Sequence, residues 1–220
     1  MPGPPREVMT TPPNRWRLFV GLLALIAVWQ LMSYGLALLR PPTPPTWLSN
    51  PAIFADARAT TFGPRTADVT IYLLSGYACP NCRAMHVDLR KLVAEDGNVR
   101  IVCRDWPILG DRSVRATRFA IATGNAHARF DDELMRRGGP LYDASLRGAA
   151  ARAGIDLSNL EANTVRNAAD IDDLIADTRL KANALGLNGT PVLIVGPYLV
   201  IGRQTLAQLR DLVGEARAAR

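Results

Sequence analysis

Two cysteines separated by two residues stand where a strand-like run meets a helix-like run. Asp68 to Leu74 reads DVTIYLL, an apolar β-rich run of strand length, and YACPNCR follows from Tyr77. Cys82 to Glu95 then reads as a helix with one apolar face, which the pair Gly97-Asn98 is predicted to end. Residues 99–108 contain a second strand. Strand, helix and strand with short joins predict a βαβ unit whose two strands are parallel.

The rest of the folded part alternates helical segments with a final hairpin. Residues 111–187 are Ala-rich and helical in pattern, with glycine-containing interruptions. Residues 191–195 (PVLIV), a Gly-Pro turn and residues 198–201 (YLVI) predict a β-hairpin. Residues 204–219 predict a terminal helix. The predicted fold is therefore α/β, with a mixed central sheet flanked by helices and a helical insertion over residues 111–187.

An apolar run near the N-terminus predicts a membrane span. Leu18 to Leu39 contains 22 residues without a charge, and at about 1.5 Å per residue this length crosses a hydrocarbon core. A cleaved signal peptide is the alternative, but its apolar region is usually only about 7–15 residues long. We therefore favour an uncleaved anchor. Arg6, Arg15 and Arg17 precede the span and Arg40 follows it alone, so the positive-inside rule predicts that the C-terminal part is exported.

These features divide the chain into four parts. Residues 1–17 are predicted to be a cytoplasmic tail, 18–39 a transmembrane anchor, 40–59 a Pro-rich extended spacer and 60–220 the folded domain. This organisation predicts a single-pass protein of a bacterial inner membrane with its C-terminal domain in the periplasm, which is an oxidising compartment. The formal charge of +6 comes mostly from scattered arginines, so the sequence argues against nucleic-acid binding.

The chain has only three cysteines, and their spacing carries the information. Cys79 stands at the predicted N-terminus of a helix, where unpaired N–H groups and the helix dipole favour a thiolate over a thiol. We expect Cys79 to be the exposed attacking sulfur, and Cys82, one turn further, to be buried and to resolve the mixed disulfide. Pro80 suits the first helical turn, and Asn81 lies between the sulfurs, where it would tune the thiolate.

Other uses of such a pair can be weighed on the same residues. A zinc site needs two further ligands, and Cys103, His86 and His127 offer no second paired spacing, so we expect no metal. Haem attachment needs a histidine directly after Cys82, where Arg83 stands. A purely structural disulfide stays open, although its four-residue loop would recover little chain entropy. We expect no cofactor.

Three motifs taken together resemble a known family. The motifs are CPNCR after a strand, RDWPILG at residues 104–110, and GTPVLIVG at residues 189–196. They are similar to motifs of the DsbA-like thiol–disulfide oxidoreductases, which have the thioredoxin fold. The resemblance covers roughly residues 66–220 and includes the helical insertion. The combination is specific, whereas the cysteine spacing by itself would not be.

The resemblance implies roles for four residues. Cys79 would be the nucleophile and Cys82 the resolving cysteine. A cis peptide bond would join Thr190 to Pro191 and face the two sulfurs, and the backbone before the proline would pair with an extended substrate strand. A cis X–Pro bond is a minority state, so its use marks a specific structural need.

The chain departs from the family pattern at three positions. Leu73 stands where many relatives hold a buried Glu that relays protons to the resolving cysteine, which puts fast proton relay in doubt. Cys103 replaces the usual aromatic before RDWP, and Val87 replaces a proline that often follows the helix histidine.

Four further residues have simpler structural readings. Cys103 is interpreted as a small apolar residue within a strand, with a regulatory or intermolecular thiol as the alternative. His86 is interpreted as a hydrogen-bonded structural histidine, with an acid–base role as the alternative. We expect His127 to lie on the surface, and Trp106 to pack at a strand end.

The sequence therefore predicts a membrane-tethered thiol–disulfide oxidoreductase. Its partners would be the thiols and disulfides of exported proteins, together with an unidentified membrane or periplasmic redox partner. Disulfide formation is the favoured direction. The alternatives are a reductase or isomerase of the same fold, and a non-catalytic binding module whose cysteines only lock the fold.

Overall fold

The structure is a computed structural model that describes residues 22–32 and 54–219. The chain divides into two compact units, Met1–Pro44 and Pro45–Arg220. In the first unit, residues 22–32 form a helix with exposed side chains. They lie within the predicted span 18–39, whose other residues are outside the described part. Among residues 22–32 and 54–219, no helix combines the length and the apolar character that crossing a membrane requires.

The second unit is built on a five-stranded mixed sheet in the order β1-β3-β2-β4-β5. The strands are β1 Thr60–Phe62, β2 Val69–Ser75, β3 Val99–Asp105, β4 Val192–Val195 and β5 Tyr198–Ile201. β2 and β3 are parallel, and the other three pairs are antiparallel. The predicted βαβ unit and the C-terminal hairpin are confirmed. The sequence does not predict β1, because three residues are too few to show an alternating pattern.

Helices cover both faces of this sheet. They are α1 Pro80–Asp96, α2 Asp111–Ala122, α3 His127–Arg137, α4 Asp143–Arg152, α5 Leu157–Arg166, α6 Ala168–Ala184 and α7 Leu206–Ala218. The predicted insertion is thus made of α2 to α6. α1 ends where the sequence predicts, because Gly97 adopts φ +70°, a left-handed conformation that glycine takes without a steric penalty.

Apolar side chains of β2 and β4 point alternately to the two faces of the sheet, as the period of two in a strand requires. On one face they pack with α1 and α7, through Ile71, Leu73, Met85, Leu89, Leu193 and Leu209. On the other face they pack with α6, through Leu74, Trp106, Ala182, Leu187, Val192 and Ile194. The insertion has a third core that includes Tyr77, Phe119, Phe130, Leu146 and Leu160. Trp106 packs at the end of β3, as predicted.

Phe54 shows that the folded unit begins earlier than residue 60. Its side chain is fully buried and belongs to the same cluster as Leu74 and Trp106. Its ring lies 6.1 Å from the ring of Tyr72, measured between centroids. The last part of the predicted spacer therefore belongs to the hydrophobic core, because Phe54 packs on the face of the sheet that α6 covers.

Arg104, in the RDWPILG motif, ties three segments together in the interior. Only 1% of the residue is exposed. Its guanidinium bonds to Asp177, lies 3.4 Å from Asp56 Oδ2 and donates to Thr178 Oγ1 at 3.2 Å. One buried cation on β3 thus contacts both α6 and the segment before β1. Removing this cation deletes its buried bonds to Asp177 and Thr178 and its ion pair with Asp56, although Asp56 stays paired with Arg58 and Asp177 with Lys181.

We therefore expect Arg104→Met to lower the free energy of unfolding by about 2 kcal/mol, the order of the loss when hydrogen bonds to a charged group are removed. The matched control is Arg210→Met, which removes an exposed ion pair with Glu95 and should cost less than about 1 kcal/mol. Urea unfolding of the two variants and the parent chain measures both values. Equal losses would contradict the assignment of Arg104 as a buried tie between β3 and α6.

Candidate active site

Cys79 caps the N-terminus of α1. β2 ends at Ser75, and three residues carry the chain to Cys79, whose backbone is extended (φ −82°, ψ 116°). The backbone N–H of Cys82 donates to Cys79 Sγ over 3.2 Å, so the sulfur accepts a bond that capping hydroxyls usually accept. Pro80 is the first helical residue, as predicted. At Gly76 a Cβ would lie 3.0 Å from the Trp106 carbonyl oxygen, so a larger residue in this turn would have to displace that carbonyl.

The loop before β4 completes the site. The bond between Thr190 and Pro191 is cis, as the family resemblance implies. The carbonyl oxygen of Thr190 lies 3.4 Å from Cys79 Sγ. The structure therefore brings Cys79, Cys82 and the Thr190-Pro191 bond to one place. Their roles in exchange remain predictions.

Both cysteines of the pair are free thiols, and both are buried. Cys82 is 2% exposed, as expected, but Cys79 is only 4% exposed. The expectation of an exposed Cys79 is therefore wrong. The sulfur is enclosed because the start of α1 lies on one side of it and Thr190 on the other.

The pKa values of the two thiols are shifted in opposite directions. The hydrogen bond with the Cys82 side chain lowers the pKa of Cys79 from 9.0 to about 5; burial opposes this shift, and bonds with Thr190 and with the N–H groups of Cys82 and Asn81 reinforce it. The same bond with Cys79 raises the pKa of Cys82 far above its usual range, and burial is the second cause of this rise. At neutral pH the pair therefore carries one thiolate, on Cys79, and one thiol, on Cys82.

Arg83 is a charged neighbour of Cys79 that sequence reasoning did not single out. Its Nη1 donates to the carbonyl of Gly139 at 2.7 Å, which joins α1 to the loop between α3 and α4. Burial lowers the pKa of Arg83, and the charge of Cys79 opposes that shift. The signal in the sequence is an arginine directly after the second cysteine. Asn81, by contrast, is exposed and acts on Cys79 through its backbone N–H.

His86 is buried against two carboxylates of α3. Its Nε2 lies 2.8 Å from Asp132 Oδ1, and its Nδ1 lies 3.5 Å from Asp131 Oδ2. One ligand atom from each residue lies within 4.8 Å of the other two, so within the described residues these side chains have the donor types for a metal ion. Arg90 also contacts Asp132, at 3.0 Å. Charges of both signs are thus already paired in this cluster, and we assign no metal to it.

His127 is not on the surface, so that expectation is wrong. It begins α3 and is 8% exposed. Its Nδ1 is bonded to Thr60 Oγ1, and its Nε2 lies 3.0 Å from the Tyr77 hydroxyl and 3.5 Å from Asp105 Oδ2. Burial lowers the pKa of His127 to about 4, so the ring is neutral near pH 7. The helical pattern of the sequence could not predict the burial of His127, because that pattern does not predict β1, the strand that contributes Thr60.

Two buried carboxyls lie beside Tyr77 and were also missed. Burial raises the pKa of both Asp105 and Asp131 to about 7. The charge of Arg104 opposes the shift at Asp105, and the nearby Tyr77 hydroxyl opposes it to a smaller extent at both groups. Burial also raises the pKa of Cys103 well above 9.0, with nearby Asp131 and Asp105 adding to it. Cys103 lies within β3 against the core, which supports its reading as a small apolar residue.

Comparison with known proteins fits this geometry. A family model described as thioredoxin matches residues 56–215. This chain belongs to the thioredoxin family. The predicted thioredoxin fold is confirmed by that match.

Solved structures resemble this thioredoxin-family chain over most of its length. A thioredoxin-like oxidoreductase from Silicibacter pomeroyi is 34% identical, with a TM-score of 0.73, covering 78% of this chain and 99% of that one. The thiol-disulfide exchange protein alpha-DsbA2 from Wolbachia pipientis is 29% identical, with a TM-score of 0.71, over 76% and 91%. A periplasmic thioredoxin-like protein from Salmonella enterica serovar Typhimurium is 25% identical, with a TM-score of 0.65, over 76% and 94%.

Curated relatives of this family member are longer proteins. The Na⁺/H⁺ antiporter NhaA 1 from Salinispora arenicola is 29% identical over 166 residues, which are 71% of this chain and 24% of the antiporter. This chain thus spans about a quarter of the length of that relative.

The predicted enzyme class, thiol–disulfide oxidoreductase, is confirmed by the structural relatives.

The pKa shifts predict how the cysteines react with iodoacetamide. Only a thiolate is alkylated, so the rate at Cys79 should rise as the pH increases through about 5 and reach a plateau above it. Mass spectrometry of peptides quenched at each pH measures the rate. Cys79→Ser is the control, because Cys82 and Cys103 have raised pKa values and should stay unreacted at neutral pH. A midpoint near that of a free thiol would contradict this description.

Proposed function

We propose that this chain introduces disulfide bonds into exported proteins, with Cys79 as the nucleophile and Cys82 as the resolving cysteine. The observation that carries the proposal is the opposite shift of the two thiols, because the pKa of Cys79 is lowered to about 5. A pair whose reduced form is stabilised by a thiolate gives up its disulfide readily and is therefore a strong oxidant.

In the proposed reaction a substrate thiolate attacks Cys79 Sγ in the Cys79–Cys82 disulfide. The bond between the cysteines breaks, and Cys82 leaves as a thiolate and takes up a proton. A second substrate thiolate then attacks the substrate sulfur of the mixed disulfide, and Cys79 leaves as a thiolate. The substrate loses two electrons, and the cysteine pair gains them. A thiol of low pKa leaves faster, which favours this direction.

Thr190 and Pro191 are proposed to hold the substrate. The Thr190 carbonyl lies 3.4 Å from Cys79 Sγ, so an extended chain that paired with this backbone would carry its own sulfur close to Cys79. Pro80 and Asn81 are proposed to tune the pair. Pro80 starts the helix, and the Asn81 N–H lowers the pKa of Cys79.

The site is proposed to face the periplasm from an anchor in a bacterial inner membrane. The apolar residues 18–39 and the arginines before them support this topology. One relative is named as a periplasmic protein, and two are named as ion antiporters, which supports action at a membrane. The proposed partners are thiols of exported proteins and a further redox protein that reoxidises the pair.

Two alternatives remain to be separated from this proposal. A reductase or isomerase of the same fold would use the same cysteines with electrons flowing towards the substrate. A binding module would have no use for a lowered pKa at Cys79, so the shift favours an enzyme. The reduction potential of the pair decides between oxidation and reduction.

The cysteine roles predict different behaviour for two single variants. Cys82→Ala should keep an attacking thiolate but lose the ability to release it, so mixed disulfides with exported proteins should accumulate. Cys79→Ala should abolish both exchange activity and trapping. Non-reducing electrophoresis of cells producing each variant measures the trapped species. Exchange activity retained in Cys79→Ala would overturn the assignment.

The topology predicts where a fused reporter works. A reporter that is active only outside the cytoplasm, joined after Arg220, should be active and should stay with the membrane fraction. In the matched control fusion, Arg6, Arg15 and Arg17 are replaced with glutamate, which removes the charge difference and should lower the exported fraction. Cytoplasmic activity of the parent fusion, or a soluble product beginning near Arg40, would contradict the proposed anchor.

A further inference from the structure

Arg83 and Arg112 stand near the beginning of two helices that start beside the cysteine pair. Arg83 is four residues after Cys79 on α1, and its guanidinium interacts electrostatically with that sulfur. Arg112 is the second residue of α2. The loop before α2 begins at Trp106, whose N–H donates to the Ser75 carbonyl at the end of β2 over 2.6 Å. Each helix therefore brings one cation to the surroundings of the site.

The loop between α3 and α4 holds both of these arginines. Arg83 Nη1 donates to the Gly139 carbonyl at 2.7 Å, and the guanidinium carbon of Arg112 lies 4.5 Å from the centre of the Tyr142 ring. Gly139 and Tyr142 are close in the chain, so the two guanidinium groups lie on neighbouring parts of one loop. A carbonyl and an aromatic ring attract a cation but carry no net charge. Both arginines are thus positioned without being neutralised.

Other arginines of the same two helices are held by carboxylates instead. On α1, Arg90 lies 3.0 Å from Asp132 Oδ2, and on α2, Arg115 lies 2.9 Å from Asp143 Oδ2. Asp111, which begins α2, lies with Arg115 in the groove between α2 and α5. Within residues 22–32 and 54–219, neither of the two arginines beside the site forms an ion pair. Their charges are therefore available to a partner that brings its own carboxylates.

A third arginine lies beside the cis bond at Pro191. The Gly202 N–H donates to the Pro191 carbonyl at 2.9 Å, and the Gln204 N–H lies 3.4 Å from Met85 Sδ on α1. Arg203 stands between these two residues. Its side chain is exposed, and it has no ion pair in the part of the chain that the structure describes. The connection from β5 to α7 therefore adds another cation that no carboxylate neutralises.

From this arrangement we infer that the site selects exported proteins whose reactive cysteine is flanked by acidic residues. A substrate that pairs with the backbone near Thr190 brings the residues on either side of its cysteine close to Arg83, Arg112 and Arg203. Carboxylates there are attracted by the three cations, whereas lysines are repelled. Such complementarity acts mainly on the rate of encounter. The inference rests on the substrate site proposed above and adds the charge of the substrate to it.

The experiment uses the reduced full chain in a nonionic detergent, at neutral pH and an ionic strength of about 0.1 M. Two peptide disulfides are the probes. Each is a homodimer of a short peptide with a single cysteine, which aspartates flank in one peptide and lysines flank in the other. Alkylation at timed intervals, followed by mass spectrometry, measures the rate at which each probe oxidises the cysteine pair.

The reaction with either probe has the same two steps. The Cys79 thiolate attacks one peptide sulfur, the peptide disulfide breaks, and one peptide leaves as a thiolate. Cys82 then loses its proton to solvent and attacks Cys79 Sγ, and the second peptide leaves as a thiolate. The cysteine pair loses two electrons, and the peptide disulfide gains them. A change in the reactivity of Cys79 alters both rates equally, so the ratio of the two rates reports the charge around the site.

Arg112→Gln and Arg203→Gln, which change exposed side chains, should each lower the ratio of the aspartate rate to the lysine rate about threefold. The double variant should lower it about tenfold, because the two cations act on the same peptide. In about 1 M salt the parent chain and the variants should give the same ratio, since charges are then screened within about 3 Å.

Arg65→Gln is the matched control. It removes the same unit charge from an exposed arginine that forms no ion pair within the described residues. Arg65 precedes β2, however, whereas Cys79 follows it, and a strand of seven residues separates them by about 20 Å. At this distance the charge is screened at about 0.1 M salt, so the ratio should follow the parent chain.

An unchanged ratio in Arg112→Gln and Arg203→Gln, or an equal fall in Arg65→Gln, would overturn the inference. The proposed function fails separately. A reduction potential typical of a reductase would refute the oxidising direction, and oxidation of Cys79→Ala at the parent rate would refute the role of Cys79. Neither result depends on the ratio of the two peptide rates.

Discussion

The hydrogen bond from the Cys82 N–H to Cys79 Sγ is the interaction on which the site depends. It exists because a strand ends shortly before Cys79 and a helix begins immediately after it, so the sulfur sits where backbone donors are unpaired. The parallel pairing of β2 with β3 fixes where that strand ends, and the loop before β4 brings Thr190 to the other side of the sulfur. The chemistry of one atom thus follows from the connectivity of the sheet.

The helical insertion contributes to the site as well as covering it. α3 supplies His127, Asp131 and Asp132, which reach residues on both sides of the cysteine pair, Tyr77 before it and His86 after it. Such groups cost free energy when buried unless they find partners, and the hydrogen-bond partners of His127 and Asp132 come from elements other than α3. The insertion is consequently joined to the active-site helix by polar contacts as well as by packing.

The sequence predicted what depends on local pattern. The βαβ unit, the final hairpin, the end of α1 at Gly97 and the meeting of the two cysteines with Thr190 and Pro191 follow from periodicity, turn residues and motif likeness. It did not predict β1, the buried Phe54 or the burial of His127, because each is decided by a partner distant in sequence. The sequence also did not predict the burial of Cys79, because Thr190, which lies against its sulfur, is 111 positions away in the chain.

The two outer strands of the sheet have a consequence for solubility. β1 has three residues and β5 has four, whereas the central strands β2 and β3 have seven each. An outer strand exposes unpaired backbone groups that invite another extended chain to add to the sheet, and a short outer strand offers few of them. The short outer strands of this sheet therefore offer the proposed substrates, exported proteins with free thiols, few backbone groups for pairing away from the loop that holds Thr190.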